Sequence, residues 1–462
     1  MPINSFLYPA PSTPTFAYEV ANSLRFDDNS SHSLSRTPSS AGNTRLATFS
    51  FWLKRGHFGI TPYTYMVSDG LNQFGMHIDT NDRLVCFHYN GSGYDFSLTS
   101  TSQFRDSSAW YHFVIKIDTA NGTAIERLKL FVNGVYDAWN TTISQNFDGI
   151  WLKNSTAYIG SSTTPHAHYD GYFAEFVVID GTALEPTSFG EFNSDSPTIW
   201  QPIDVSGLTF GTNGFYLEFK ESGTGTNSSG MGADTSGNNG HFAVNNLTAV
   251  DQSTDTCTNN FATLNPLANL TGSPTFSEGS LKVAGDNSAN HNWQTTFVVS
   301  SGKWYWELKD LTSSPDGSIL FYDQSISSGS HPGYGFVLNT KKKVIGGSVT
   351  GSAIGSSAQN DIWSMALDLD NGKMFIARNG TYLSSGDPAN GTNPFIQTSD
   401  GLPSEGVFGG HIYDGSMELN FGGGTPTSIS SGNADDNGYG NFEYDVPAGF
   451  YSLNSKNLAE FG

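Results

Sequence analysis

Apolar residues fall in short runs of strand length, several alternating with polar residues at period two, which is the pattern of half-buried strands and not of helices. From Asn22 to about Trp200 the runs are TFSFWLKRG, NQFGMHID, DRLVCFHYNG, WYHFVIKID, RLKLFVNGVY, TAYIGS and DGYFAEFVVID. Within one of them, Asn133-Gly134 predicts a two-residue hairpin of type I′, because that turn needs φ > 0 at both central positions. From Phe261 onward strands resume in SLKVAG, TTFVVSSGKWYWELKD, SILFYD, GYGFVLN, WSMALDLDNGKMFIARNGTYL, GVFGGHIY, SMELNFG and AGFYSLN. Alternation there puts Trp304 and Trp306 on one face and Tyr305 on the other, a core face and a surface face. The pattern predicts an all-β chain with two antiparallel β-sandwich domains, at 23–200 and 261–455.

Three stretches fall outside these domains. Residues 1–22 set Pro2, Pro9, Pro11 and Pro14 among Phe6, Tyr8, Phe16 and Tyr18, which favours an extended arm whose apolar side chains dock elsewhere. Residues 201–260 include ESGTGTNSSGMGADTSGNNGH, too poor in apolar residues to bury a core, and read as a connecting segment with one docked strand, NGFYLEF. Residues 456–462 are a C-terminal tail.

Composition narrows the function. Lys and Arg total 21 against 43 Asp and Glu, a formal net charge of -22, which repels phosphate backbones and excludes nucleic acid as a partner. The start of the chain has no basic region followed by an apolar one, and nowhere do about 18 apolar residues run together, so neither secretion nor membrane insertion is expected. Cys86 and Cys257 stand far apart, so neither a disulfide scaffold nor a zinc knuckle is expected.

Catalytic signatures are missing. Glycan hydrolases on sandwiches of this type need paired carboxylates, supplied on one strand as E-x-D-x-x-E. Here Glu175 is followed by Phe176-Val177, Glu307 by Leu308-Lys309, and ALDLDNG carries no glutamate. There is no GxSxG, HExxH or GxxxxGK[ST] either. The expectation is a binding protein and not an enzyme. His166 and His168, in TPHAHYD, either ligate a transition metal or are plain loop histidines. If the ligand is a glycan, the rings expected to meet it are Tyr89, Tyr94, Tyr169, Tyr322 and Tyr334, since flat apolar rings with a polar edge suit sugar faces.

The segments SFWLKRG, AWYHFVIKID, KLFVNGV, YIGSS and YDGYFAEFVVIDGTAL, in that order, resemble the laminin-G-like, concanavalin A-type jelly roll. The resemblance implies a calcium ion at the sandwich rim, held by carboxylates and loop carbonyls, with Asp170 at the motif-matching position. Asp27 and Asp28 complete that site if the first strand lies beside the strand of Asp170; otherwise they are solvated turn residues. The second half resembles the SPRY family through GKWYWELK, GYGF, ALDLDNGKMFIARNG, NFG and PAGFYSL, departing from it in the hairpin at Met374-Phe375-Ile376, where a second aromatic is usual.

The whole order, a laminin-G-like domain, a Gly/Ser/Asn segment, TNNFATLNPL and a SPRY-like domain, resembles structural proteins of marine bacteriophages. That implies a virion surface protein made in the host cytoplasm, a fibre, appendage or adhesin present in many copies or as a homo-oligomer. Its partners would be other virion proteins and host cell-surface glycans. The alternatives are a purely structural capsid or tail decoration, a depolymerase with carboxylates converging from loops, and an intracellular peptide-binding adaptor.

Overall fold

The computed structural model describes residues 16–163, 167–268, 270–312, 316–323 and 331–462. Residues 1–15 of the expected arm, and His166, lie outside the described residues. Among the described residues the fold is all-β, with two antiparallel sandwiches and one short α-helix, Ser455–Phe461. Among the described residues no helix is long and apolar enough to cross a membrane.

In the first sandwich, one sheet runs Val135–Asp137, Leu128–Val132, Trp110–Asp118, Leu46–Arg55, Gly171–Asp180, Ser23–Phe26, Gln252–Ser253. The facing sheet runs Ala243–Asn245, Ser33–Arg36, Ala157–Ile159, Tyr63–Ser68, Gln73–Ile78, Leu84–Tyr89, Tyr94–Thr99. Alternation works as expected: Phe49, Phe51 and Leu53 point inward from one sheet to meet Phe74, Met76 and Cys86 from the other. The hairpin between Leu128–Val132 and Val135–Asp137 turns on Asn133 (φ 47°) and Gly134 (φ 76°), the left-handed pair that a type I′ turn demands.

The stretch 201–260 differs from the linker expected of it. Phe215–Leu217 pairs with Gly171–Asp180, Ala243–Asn245 with Ser33–Arg36, and Gln252–Ser253 with Ser23–Phe26. Met231, Phe242 and Leu247 enter the first core. The reason lies in the sheet it covers, whose outward residues Val114, Phe131, Val177 and Ile179 are apolar as well. Phe189, Val205, Phe210 and Tyr216 close over that second face. A cover needs few large residues, so its low apolar content gave it the look of a tether.

In the second sandwich, Lys303–Asp310 lies between Ser416–Asn420 and Ile362–Asp368 in one sheet. His291–Val299, Gly406–Asp414 and Asp316–Tyr322 lead the other. Trp304 and Trp306 fill the core. Tyr305 faces away from it, as alternation requires, yet is buried beneath Phe442 and Phe450 of the returning C-terminal segment. The expected tail is the helix Ser455–Phe461, capped by the Asn454 side chain accepting from the Asn457 N–H at 2.9 Å, with Phe461 stacked on Tyr451 at 3.8 Å.

The two sandwiches meet along a polar seam. Lys54 Nζ, fully buried, reaches Asp255 Oδ2 at 2.7 Å, Asn260 Oδ1 at 2.7 Å and the Phe261 carbonyl at 2.9 Å. Arg25 pairs with Asp251 at 2.7 Å and Glu278 at 3.3 Å. Ser280 Oγ donates to the Gly56 carbonyl at 2.8 Å, and Tyr172 to that of Gly279 at 3.0 Å.

Candidate metal centre and ring platform

Ser23–Phe26 pairs antiparallel with Gly171–Asp180, Phe26 opposite Gly171. The chain leaving the first strand as Asp27-Asp28 therefore meets Asp170, which stands just before the second. One carboxylate oxygen from each of the three lies within 4.8 Å of the other two. Asp27 Oδ1 accepts the Glu278 N–H at 3.2 Å, Asp170 Oδ2 accepts the Gly279 N–H at 3.4 Å, and the His57 ring meets Asp28 Oδ2 at 2.8 Å. Asp28 Oδ1 is buried with no partner.

Burial, then the charges of Asp28 and Asp27, push the Asp170 carboxyl well above the usual carboxylate range. Burial also acts to raise Asp27, but hydrogen bonds from Ser30, the Glu278 backbone and Asn29, with His32 nearby, outweigh it and hold Asp27 low. Oxygen donors from three carboxylates, two of them buried and the third with an orphaned oxygen, fit a hard cation such as calcium. Gly56 leaves them room, because a Cβ there would stand 1.9 Å from Asp170 Oδ1. Beside this cluster a cleft of about 400 Å³ opens between the sandwiches, lined by Asn29, His57, Phe58, Asn265, Pro266 and Phe276.

Two neighbours of Asp170 are not surface ligands. His168 is buried, one ring nitrogen against the His32 carbonyl at 3.3 Å and the other without a partner. Tyr169 is a core residue, fully buried on Phe173 with its hydroxyl donating to the Lys54 carbonyl at 2.8 Å. Tyr322 fails as a loop ring for the same reason: it is fully buried and donates to the Trp293 carbonyl at 3.0 Å. Tyr334 is half-buried with its ring packed on the second core. Tyr169 and Tyr334 stand on a strand or its threshold with the ring turned onto the core, whereas Tyr322 is sealed with Leu320, Val337, Val344 and Val407 on the other face of its sheet.

Tyr89 and Tyr94 behave differently. They sit on neighbouring strands, ring centroids 5.4 Å apart, with Tyr94 65% exposed. From Tyr94 the rings continue to Phe87 at 5.7 Å, His77 at 5.7 Å and Tyr63 at 5.2 Å. The five rings cross four consecutive strands on the side of the sheet away from the core. Tyr63, His77 and Phe87 were not singled out from the sequence. The available signal was that DRLVCFHYNG keeps apolar residues at both parities, Leu84 and Cys86 on one and Val85, Phe87 and Tyr89 on the other, where a sheet with one solvated face normally alternates apolar with polar.

The two glutamates weighed as catalytic carboxylates are held by internal partners. Glu307 accepts from Tyr305 at 2.9 Å and from the Glu443 and Tyr444 N–H groups, each at 2.9 Å. Glu175 sits at a bulge between Ala174 and Val177 with φ 48° and accepts from the hydroxyls of Tyr216 and Tyr18. Burial lifts its carboxyl from the ordinary 4.5 to about 7; Glu218 adds to the rise, and the tyrosine hydrogen bonds and Lys220 oppose it.

Between those two values the folded chain holds a proton that the unfolded chain has lost, so this group's contribution to stability falls as pH rises through the window. Glu175→Gln keeps an acceptor for the tyrosines. It is expected to match the parent near pH 4 and to exceed it at pH 8 by up to about 3 kcal/mol, read from urea unfolding at both pH values.

The concanavalin A-like lectin/glucanases superfamily matches residues 27–188, the body of the first sandwich. Among solved structures, the chain is similar to a heptameric SAP-like pentraxin from Limulus polyphemus, at 16% identity over 36% of this chain and 80% of that one, with a TM-score of 0.28. It is similar to a proposed carbohydrate-binding protein from Bacteroides ovatus at 16% identity over 50% of this chain, with a TM-score of 0.35, and spans 60% of that protein's length. It is also similar to the SPRY domain of human HERC1, at 10% identity over 32% of this chain and 91% of that domain, with a TM-score of 0.26. No curated protein sequence matches the chain.

Proposed function

We propose that this chain is a non-catalytic binding protein that takes a saccharide across the ring platform of its first sandwich. The observation that carries this reading is the run of five contacting rings, Tyr63, His77, Phe87, Tyr94 and Tyr89, on one face of a sheet. The exposed Tyr94, with Tyr89 beside it, offers a flat apolar surface with a polar edge to a sugar's C–H face while leaving its hydroxyls to water, and the buried Phe87 backs it. Calcium at Asp27, Asp28 and Asp170 would hold the rim of the same sandwich in shape.

The order of the two domains, as in bacteriophage structural proteins, supports display in many copies on a virion that contacts host glycans. Repetition there would multiply a weak single site by about 10²- to 10⁴-fold.

Tyr94→Ala tests the platform. Tyr94 is largely exposed, so stability is expected to stay within about 0.5 kcal/mol of the parent. Binding to oligosaccharides selected on a glycan array is expected to weaken about tenfold or more. Equal titration curves for parent and variant would remove the platform from the binding site.

A further inference from the structure

A second aromatic site lies on the opposite sheet of the first sandwich. Trp52, Trp110 and Trp200 floor a groove of about 560 Å³. His112 is sandwiched between Trp52 at 4.7 Å and Trp200 at 6.0 Å, and both its ring nitrogens are fixed, by Ser50 Oγ and by Trp200 Nε1, each at 2.8 Å. The floor is therefore rigid. Around it stand Val135, Phe192 and Ile199, exposed by 60%, 45% and 37%. These are large apolar side chains left in water by two hairpins that converge on one depression. A concentration of this kind marks an interaction site.

The chain itself points to what fills the groove. Phe16 lines it, and the residues that follow are tied down beside it: Tyr18 to Glu175 and Tyr216, Glu19 to Lys456, and the Val20 N–H to Thr258 at 3.1 Å. The preceding residues, MPINSFLYPAPSTPT, contain no charged side chain in a chain of net charge -22, and they carry Met1, Ile3, Phe6, Leu7 and Tyr8. Such a segment gains by burial and has no charged side chain to desolvate.

Pro9, Pro11 and Pro14 fix their own φ, and each biases the residue before it towards extended backbone. A stretch held extended at about 3.1 Å per residue would lead residues 1–8 away from their own groove, which has the volume of a sphere about 10 Å across. The same reach lets the segment enter the groove of a neighbouring copy. Because each segment starts at the rim of its own groove, a two-fold axis makes the exchange reciprocal.

We propose that the groove binds residues Met1–Tyr8 of a second copy of this chain, so that two copies exchange these segments to form a dimer. The test is analytical ultracentrifugation of the full chain, of a variant lacking residues 1–8, and of Phe192→Asp, each checked for folding by circular dichroism. The full chain is expected to sediment at twice the chain mass, and both variants as folded monomers, their dimer dissociation constant raised at least about a hundredfold. A synthetic peptide of residues 1–8 is expected to bind the truncated chain and shift its tryptophan emission, since it would cover Trp52, Trp110 and Trp200. A monomeric full chain, a dimer that survives the truncation, or a peptide that leaves the emission unchanged overturns the exchange. A monomeric full chain whose emission shifts on truncation would place the segment in its own groove instead.

Discussion

Lys54→Ala is expected to remove about 3–5 kcal/mol of stability, as breaking a buried ion pair from one side does. Lys54 Nζ is fully buried and its three partners, Asp255, Asn260 and the Phe261 carbonyl, all belong to the passage from the first sandwich into the second. Burial pulls its pKa down and the Asp255 charge opposes that. Truncation leaves Asp255 with the Trp110 Nε1–H at 3.1 Å and the Phe261 N–H at 3.2 Å, but with no cation in a dry site. An exposed pair of similar geometry is worth under about 1 kcal/mol, because water screens what remains.

Lys54→Met separates packing from charge, since it keeps the aliphatic stem. It is expected to destabilise nearly as much as the alanine, whereas Lys54→Met with Asp255→Asn recovers a large part of the loss. A double-mutant cycle by urea denaturation checks this, and additive losses would show that the two groups do not act on each other. Because the pair clasps the two sandwiches, Lys54→Ala is also expected to separate one unfolding transition into two.

What the sequence made legible follows from how far each signal reaches. Period-two alternation fixed which side of Leu46–Arg55 faces the core, and Asn133-Gly134 fixed a hairpin, because both are local backbone requirements. The meeting of Asp27 and Asp28 with Asp170 was legible as a condition: it needed the first strand to lie beside Gly171–Asp180, and the pairing of Phe26 with Gly171 meets it.

Burial on the second face of a sheet was not legible. Tyr322 and Tyr94 both read as open rings in the sequence, yet one is sealed with Leu320, Val337 and Val407 on the outer face of its sheet and the other lies open, and only the pairing of distant strands separates them. The stretch 201–260 was misread for a related cause. Its role depends on apolar residues elsewhere, Val114, Val177 and Ile179, that need covering. The ring platform spans four strands, so no single run displays it.

Calcium is expected to raise the melting temperature of the parent chain and to leave Asp170→Asn unmoved. The parent folds at the cost of burying the Asp170 carboxyl beside Asp27 and Asp28, and the raised pKa of Asp170 records that cost. A bound divalent cation offsets it. At about 1 mM calcium and a dissociation constant near 10 µM, stabilisation comes to about 2.7 kcal/mol.

Asp170→Asn retains an acceptor for the Gly279 N–H and removes one of three like charges. In chelator it is therefore expected to melt above the parent, and in calcium below it. That crossing is a stronger test than loss of response alone, because a variant that merely damaged the fold would melt lower under both conditions. A parent that ignores calcium would return the three aspartates to plain turn residues. A full calcium response in Asp170→Asn would put the ion elsewhere. Since the Glu278 and Gly279 N–H groups reach Asp27 and Asp170 from the start of the second sandwich, the stabilisation is expected to extend across the seam, raising the second transition of Lys54→Ala less than the first.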